Sequence, residues 1–126
     1  MAHILIVEDD AHIRLFIKIN LTRRGYQVIE AGSAEEALAL IHHNPPQLMV
    51  LDLRLPQMGG LELLDILAEE NQVIIPVIIL SAWAREQGAE IITNYAQVVD
   101  VIPKPVHAGL LLNSIRQAID EDKNWS

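Results

Sequence analysis

Four apolar stretches of the sequence lead into side chains that can carry out chemistry. Glu8 and Asp9 follow the first stretch, Asp52 ends the second, Ser81 follows the third, and Lys104 comes just after the fourth. Carboxylates are hard oxygen ligands of the kind that Mg²⁺ prefers, and the chain has no cysteine to attract a softer metal. A lysine and a hydroxyl could contact the oxygens of an anion, and a carboxylate could act as a nucleophile. This combination is typical of phosphoryl transfer.

The elements that must position these residues can be predicted from the pattern of apolar residues. Short apolar runs bounded by turn residues are typical of strands that are buried on both faces. We predict five strands, over residues 3–7, 26–31, 48–52, 76–80 and 98–102. We predict five helices, over residues 10–24, 33–44, 60–67 and 84–95 and from residue 108 onward. Gly25 should stop the first helix, and a capping box of Ser33 and Glu36 should begin the second.

Strands that alternate with helices imply parallel βαβ units with right-handed crossovers. The predicted architecture is therefore a single α/β domain over residues 1–126, with a doubly wound parallel sheet. In such a sheet, ligands bind beyond the carboxyl ends of the strands. The acids, the hydroxyl and the lysine should therefore converge on one edge, where three carboxylates repel each other unless a cation lies between them.

The composition argues against several other classes of protein. A net charge of -8 argues against direct contact with nucleic acid, and it suits a basic partner or a bound cation. Without cysteine, there can be no disulfide framework. No apolar run is long enough to span a membrane, and the beginning of the sequence lacks the pattern of a signal peptide. We therefore expect a cytoplasmic protein.

Taken together, these motifs resemble those of the response-regulator receiver domains of two-component signalling, over essentially the whole chain. The matching positions are residues 4–10, Arg14, residues 52–56, residues 58–60, residues 81–82 and residues 104–105. Each motif is weak alone, but their order and their positions at strand ends make the set specific. The resemblance implies a flavodoxin-like fold, with five parallel strands in the order 2-1-3-4-5 and five helices.

The resemblance also implies a role for each residue of the site. Asp52 is expected to be the phosphoacceptor, Ser81 the switch hydroxyl, and Lys104 a contact of the phosphoryl group. The expected ligands of Mg²⁺ are Glu8, Asp9, Asp52 and the backbone carbonyl of Arg54. The peptide bond between Lys104 and Pro105 is expected to be cis.

The function implied by the resemblance is a phosphorelay. A sensor histidine kinase or a phosphotransfer protein would donate the phosphoryl group from a phosphohistidine. A downstream protein would bind the surface of the fourth helix, fifth strand and fifth helix, and a homodimer is a further option. No enzymatic activity is expected beyond self-phosphorylation and slow self-dephosphorylation.

Two other functions remain open. One is a Mg²⁺-dependent phosphohydrolase with an aspartyl nucleophile, although the first-strand acids lack the Asp-x-Asp spacing of that group. The other is a degenerate receiver that serves only as an interaction module, although the full set of site residues argues against it.

Several of the residues also have ordinary structural interpretations. Asp10 is better explained as a helix-start residue than as a metal ligand. Ser81 could be a simple turn hydroxyl, and Lys104 a solvated loop residue. No function is predicted for the five histidines, which are His3, His12, His42, His43 and His107.

The chain departs from the family pattern at three places. Val101 stands where the family usually has an aromatic residue, so the usual rotating switch is absent or replaced. Residues 94–97 replace the usual Gly-Ala before the fifth strand, which predicts a short or displaced fourth helix. Gly59 replaces a common acid. We therefore expect conformational change to centre on residues 81–95, and we expect a polar, frayed tail over residues 120–126.

Two side chains beside the site could cover the acceptor. Arg54 lies two residues beyond Asp52, and Trp83 lies two residues beyond Ser81. If both overhang the site, they would screen an acyl phosphate from water, and the guanidinium could pair with it or stack on the indole. In the alternative, Trp83 packs on the fourth helix and Arg54 extends into water.

Overall fold

Strands and helices alternate along the chain. The computed structural model describes residues 3–70 and 74–123, with side chains up to residue 119. The strands are β1 (His3–Val7), β2 (Gln27–Ala31), β3 (Leu48–Asp52), β4 (Val77–Ser81) and β5 (Val98–Pro103). The helices are α1 (Ala11–Arg23), α2 (Ala34–His43), α3 (Gly60–Glu70), α4 (Ala84–Asn94) and α5 (Ala108–Lys123). Within the described ranges, no helix has both the length and the apolar character needed to cross a bilayer.

The strands form one parallel sheet in the order β2-β1-β3-β4-β5, as the resemblance predicts. The chain runs from β1 to β2 on one side and then returns to place β3 on the other side of β1. The loops that follow β1 and β3 therefore diverge and leave a crevice between them. Ligands bind at such a switch point in open α/β sheets.

The core lies in two layers, one on each face of the sheet. Successive side chains of a strand point to opposite faces, so Met49 and Leu51 of β3 enter one layer, and Leu48 and Val50 enter the other. Helices α2, α3 and α4 cover the first layer, and α1 and α5 cover the second. Burial on both faces explains why the central strands β1, β3 and β4 are apolar runs, whereas the edge strands β2 and β5 are partly exposed.

Local hydrogen bonds explain where the first two helices begin. The side chain of Asp10 accepts the backbone N–H groups of His12 and Ile13, so α1 begins at Ala11. The hydroxyl of Ser33 accepts the N–H of Glu36 at 3.1 Å, as predicted. The return half of the capping box is wrong, because Glu36 accepts the N–H of Gly32 and not that of Ser33.

The expectation of a shortened fourth helix is also wrong. Helix α4 has 11 residues, the same number as α3. Gly88 faces β5, because a Cβ built there would lie 3.5 Å from the Cβ of Val101, an ordinary van der Waals distance. Helix α4 therefore packs against β5 at this position.

Other predicted boundaries shift by one to three residues, the largest shift being at the end of α3. The second strand begins at Gln27, the fourth extends through Ser81, and the fifth extends through Pro103. The expected frayed tail is partly wrong, because the backbone of α5 stays helical through Lys123. Residues 124–126 lie outside the described residues.

Candidate functional site

Asp52 lies at the carboxyl end of β3, at the centre of the crevice. Its side chain is 2% exposed, although a carboxylate is costly to bury without partners. Its Oδ1 accepts the backbone N–H of Arg54 at 3.1 Å and lies 2.8 Å from the Nζ of Lys104. The ammonium group also lies 3.8 Å from the Oε1 of Glu8, so it is placed between two buried acids.

The predicted acids converge in a single cluster. Glu8, Asp9 and Asp52 each offer a carboxylate oxygen within 4.8 Å of the others, and this is the one group of its kind among the described residues. Glu8 is buried, and its Oε1 has no hydrogen-bond partner in the described part of the chain. Burial, together with the neighbouring carboxyl of Asp52, raises the pKa of Glu8 to about 7. A buried oxygen that lacks a hydrogen-bond partner and lies close to two further carboxylates is in an environment that a bound cation would stabilise.

A glycine after β3 allows the site to be compact. The N–H of Gly60 donates to the carbonyl of Leu53 at 3.1 Å, at the start of α3. A Cβ at residue 60 would lie 2.8 Å from the carbonyl oxygen of Asp52 and 3.1 Å from the Cα of Leu53. Only glycine therefore lets α3 begin this close to the end of β3. The sequence pattern placed Gly60 at a helix start but did not predict this close approach.

Asp10 is a helix cap and stands outside the acid cluster. Its Oδ1 accepts the N–H of His12 at 2.9 Å and that of Ile13 at 3.2 Å. These backbone hydrogen bonds lower the pKa of Asp10. The prediction that Asp10 starts the helix is confirmed.

Ser81 and Lys104 lie side by side at the ends of β4 and β5. Ser81 is buried, and its Oγ accepts the N–H of Trp83 at 2.9 Å. The backbone N–H of Lys104 donates to the carbonyl of Ser81 at 3.0 Å. The peptide bond between Lys104 and Pro105 is cis, as predicted. Ser81 therefore makes the contact expected of a turn hydroxyl. Its hydroxyl hydrogen can still be donated to another group.

An open cavity of about 300 Å³ lies above these groups. Its lining residues are Glu8, Asp9, Asp10, Ile13, Asp52, Arg54, Ala82 and Lys104. Arg54 therefore lines the same cavity as Asp52, as one of the two predicted covers would. Trp83 is not among the lining residues, and its side chain is half exposed.

A contact that the sequence did not predict holds the first acid loop. The guanidinium of Arg14 donates from Nη1 to the carbonyl of Glu8 at 2.8 Å and from Nε to the Oε1 of Glu30 at 3.2 Å. The sequence matched Arg14 to the family but assigned it no role. The sequence spacing does not indicate this contact, because Glu30 lies 16 residues from Arg14 and belongs to β2.

None of the five histidines lines the acid cavity, although the Nδ1 of His12 lies 3.8 Å from the Oδ1 of Asp10 at its edge. His42 at the end of α2 instead pairs with Glu70 at the end of α3, with 2.8 Å between Nε2 and Oε2.

Comparison with known proteins identifies the family. The sequence matches the response regulator receiver domain family over residues 4–116. It is 34% identical over 119 residues to the transcriptional regulatory protein KdpE of Mycobacterium tuberculosis, with coverage of 94% of this chain and 51% of that protein. The chain spans about half the length of the first curated relatives that it matches.

Solved structures agree with this match. A CheY-like response regulator receiver domain protein from Methanospirillum hungatei superposes with a TM-score of 0.85 at 32% identity, over 100% of this chain and 99% of that one. A receiver domain protein from Clostridium thermocellum gives a TM-score of 0.84 at 25% identity, over the whole of both chains. Fold, motif order and sequence match all agree, and the chain therefore belongs to the response regulator receiver domain family.

Proposed function

We propose that Asp52 accepts a phosphoryl group from a phosphohistidine, in a reaction that depends on Mg²⁺. The donor would be a sensor histidine kinase or a phosphotransfer protein. The observation that carries this proposal is the set of charges around one buried carboxylate. Asp52 has a lysine ammonium 2.8 Å from its Oδ1, and two further carboxylates have oxygens within 4.8 Å of it. This is an unusual environment for a structural aspartate, and it suits a nucleophile that faces a highly charged substrate.

The transfer itself requires one bond to form and one to break. A carboxylate oxygen of Asp52 attacks phosphorus, and the bond between phosphorus and the donor's imidazole nitrogen breaks, with the electron pair leaving on that nitrogen. The product is an acyl phosphate. In the proposal, Lys104 exchanges its contact with Asp52 for one with a phosphoryl oxygen, and the hydroxyl of Ser81 donates to another.

The residues present fit a magnesium ion. Glu8, Asp9 and Asp52 would hold it, together with the backbone carbonyl of Arg54, in the mixed set of oxygen ligands that Mg²⁺ accepts. When bound, the ion neutralises negative charge on carboxylate and phosphoryl oxygens. The raised pKa of Glu8 and its unpartnered oxygen both support a site that is completed by a cation.

The signal would pass to a protein partner through α4, β5 and α5. New contacts of the phosphoryl group with Ser81 and Lys104 would bias the loops that carry these residues. Val101 packs against Gly88 of α4, so movement of α4 itself would replace the rotation of an aromatic side chain. On this proposal the chain is a signalling module, and its own chemistry is limited to gaining and losing one phosphoryl group.

Mass spectrometry tests the proposal directly. The chain is incubated with acetyl phosphate or a phosphorylated kinase, with Mg²⁺ or with a chelator. We expect one added phosphoryl group that requires Mg²⁺ and is absent in Asp52→Asn. Equal labelling of that variant would overturn the assignment. Steady turnover of small phosphomonoesters would instead favour the phosphohydrolase.

A further inference from the structure

We infer that Arg14 is a positioning residue for the metal-binding loop, and that it sets the affinity of the site for Mg²⁺. Arg14 lies outside the acid cavity, on α1, with its side chain 24% exposed. The inference rests on the proposed function, because it concerns the loop that would hold the ion.

The guanidinium connects the loop to the sheet. One hydrogen bond runs from Nη1 to the carbonyl oxygen of Glu8 at 2.8 Å, and another from Nε to the Oε1 of Glu30 in β2 at 3.2 Å. Lys18 lies 3.1 Å from the other oxygen of Glu30, so that carboxylate is held from both sides. A planar guanidinium with two such contacts has little freedom to reorient.

This arrangement fixes the peptide unit between Glu8 and Asp9. The N–H of Glu8 donates to the carbonyl of Ala31 at 3.1 Å, and its carbonyl accepts from Arg14. The backbone of Glu8 is thus held at both ends. The side chain of Asp9 is exposed and makes no hydrogen bond within the described residues, so the direction in which it leaves the backbone depends on that peptide. Groups that orient metal ligands in this way commonly change metal affinity by about tenfold or more when removed.

The direction in which Mg²⁺ affinity changes when Arg14 is replaced distinguishes a positioning role from a simple effect of its charge. Arg14 carries a positive charge and would repel Mg²⁺ if charge were its only influence. Removing the side chain would then tighten binding. If Arg14 acts by holding the Glu8 carbonyl, its removal should weaken binding, because the ligands lose their arrangement before the ion arrives.

Calorimetric titration of the full chain with Mg²⁺ tests this inference. Arg14→Met is compared with Lys18→Met, which removes a cation from the same carboxylate but has no contact with the loop. We expect the Kd of Arg14→Met to rise about tenfold and that of Lys18→Met to stay within about twofold of wild type. A purely structural role would lower the denaturation midpoint of the ion-free protein while leaving the Kd of the folded protein unchanged.

A second pair of variants serves if Arg14→Met does not fold. Glu30→Gln loosens the anchor of the guanidinium, and Glu36→Gln removes a nearby acid that accepts a hydrogen bond from the backbone N–H of Gly32 instead. Glu30→Gln should weaken Mg²⁺ binding about threefold relative to Glu36→Gln, since Arg14 keeps its charge but loses a charge-assisted contact. Equal Kd values in this pair would overturn the inference.

The outcomes distinguish this inference from the function on which it rests. If the wild-type chain showed no measurable binding of Mg²⁺, the proposed function and the inference would both be overturned. Wild-type binding that is matched or exceeded by Arg14→Met would overturn the inference alone.

Discussion

Two loops at the same edge of the sheet are held very differently. The loop from β1 to α1 ends in a helix cap that accepts two backbone N–H groups, and Arg14 fixes its first carbonyl. The loop from β4 to α4 ends at Trp83, whose side chain makes no cap hydrogen bond and is half exposed. Its described anchors are the contact between Ser81 and Trp83 and the backbone contact from Lys104. We interpret the first loop as the fixed wall of the site and the second as the wall that can move.

Lys104 stands between the two walls, and its removal should have the largest effect on stability. Lys104→Met leaves the buried carboxyls of Glu8 and Asp52 without their cation. Breaking such a pair should destabilise the ion-free protein by about 3 kcal/mol, measured by urea denaturation. The half-exposed pair of Lys18 and Glu30 provides the control, and Lys18→Met should cost no more than about 1 kcal/mol. Equal losses in the two variants would show that the buried acids do not depend on Lys104.

Substitution of Asp9 tests whether the fixed wall of the site binds a cation. Asp9→Asn removes one of three mutually repelling carboxylates, so the ion-free fold should become slightly more stable. The same change should weaken Mg²⁺ binding by about tenfold, because a ligand is lost. Titration and denaturation of one preparation measure both effects. Unchanged affinity for Mg²⁺ in this variant would contradict the proposed ligand set.

The lifetime of the acyl phosphate tests how well the site is covered. Arg54 lines the cavity and Trp83 does not, so Arg54→Ala should account for most of any loss of shielding. If these side chains raise the barrier to hydrolysis of the acyl phosphate by about 1.4 kcal/mol, their removal should make its decay roughly tenfold faster. Decay of phosphorylated Asp52 is followed after removal of the donor, with Arg85→Ala as a control on α4. Unchanged decay in Arg54→Ala, Trp83→Ala and the double variant would show that neither side chain shields the group.

The smallest effect concerns the cap of the fixed wall. The folded pKa of Asp10 lies below its ordinary value of 3.8, so the cap stabilises the fold above that pH and is lost as the pH falls through the folded pKa. Asp10→Ala should therefore lower the unfolding midpoint at neutral pH, and the difference from wild type should vanish in acid. Trp83→Ala removes no cap hydrogen bond and should show no such pH dependence. A constant difference across the pH range would contradict this role for Asp10.

The centre of the sheet could be predicted from sequence because β1, β3 and β4 are buried on both faces. Each of these strands is then an apolar run, and the chemistry-bearing residues follow at one edge by topology. Asp52, Glu8 and Asp9 were placed together in this way, and the cis bond before Pro105 followed from the resemblance.

Features that depend on contacts between distant residues could not be predicted. The contact between Gly88 of α4 and Val101 of β5 is one such feature, and residues 94–97 alone suggested a short or displaced helix. The contact of Gly60 with the backbone of Asp52 requires knowledge of where α3 begins in space. The hydrogen bonds of Arg14 join a helix, a loop and a second strand, and no sequence spacing encodes that combination.

Amide hydrogen exchange tests the contrast between the two walls most directly. The chain is compared with and without Mg²⁺ and beryllofluoride, which would mimic the proposed phosphoryl group on Asp52, and Asp52→Asn serves as the control. We expect exchange to change most over residues 81–95, while residues 8–14 become uniformly more protected on binding. Changes confined to α1 and α2, with residues 81–95 unaffected, would contradict the account.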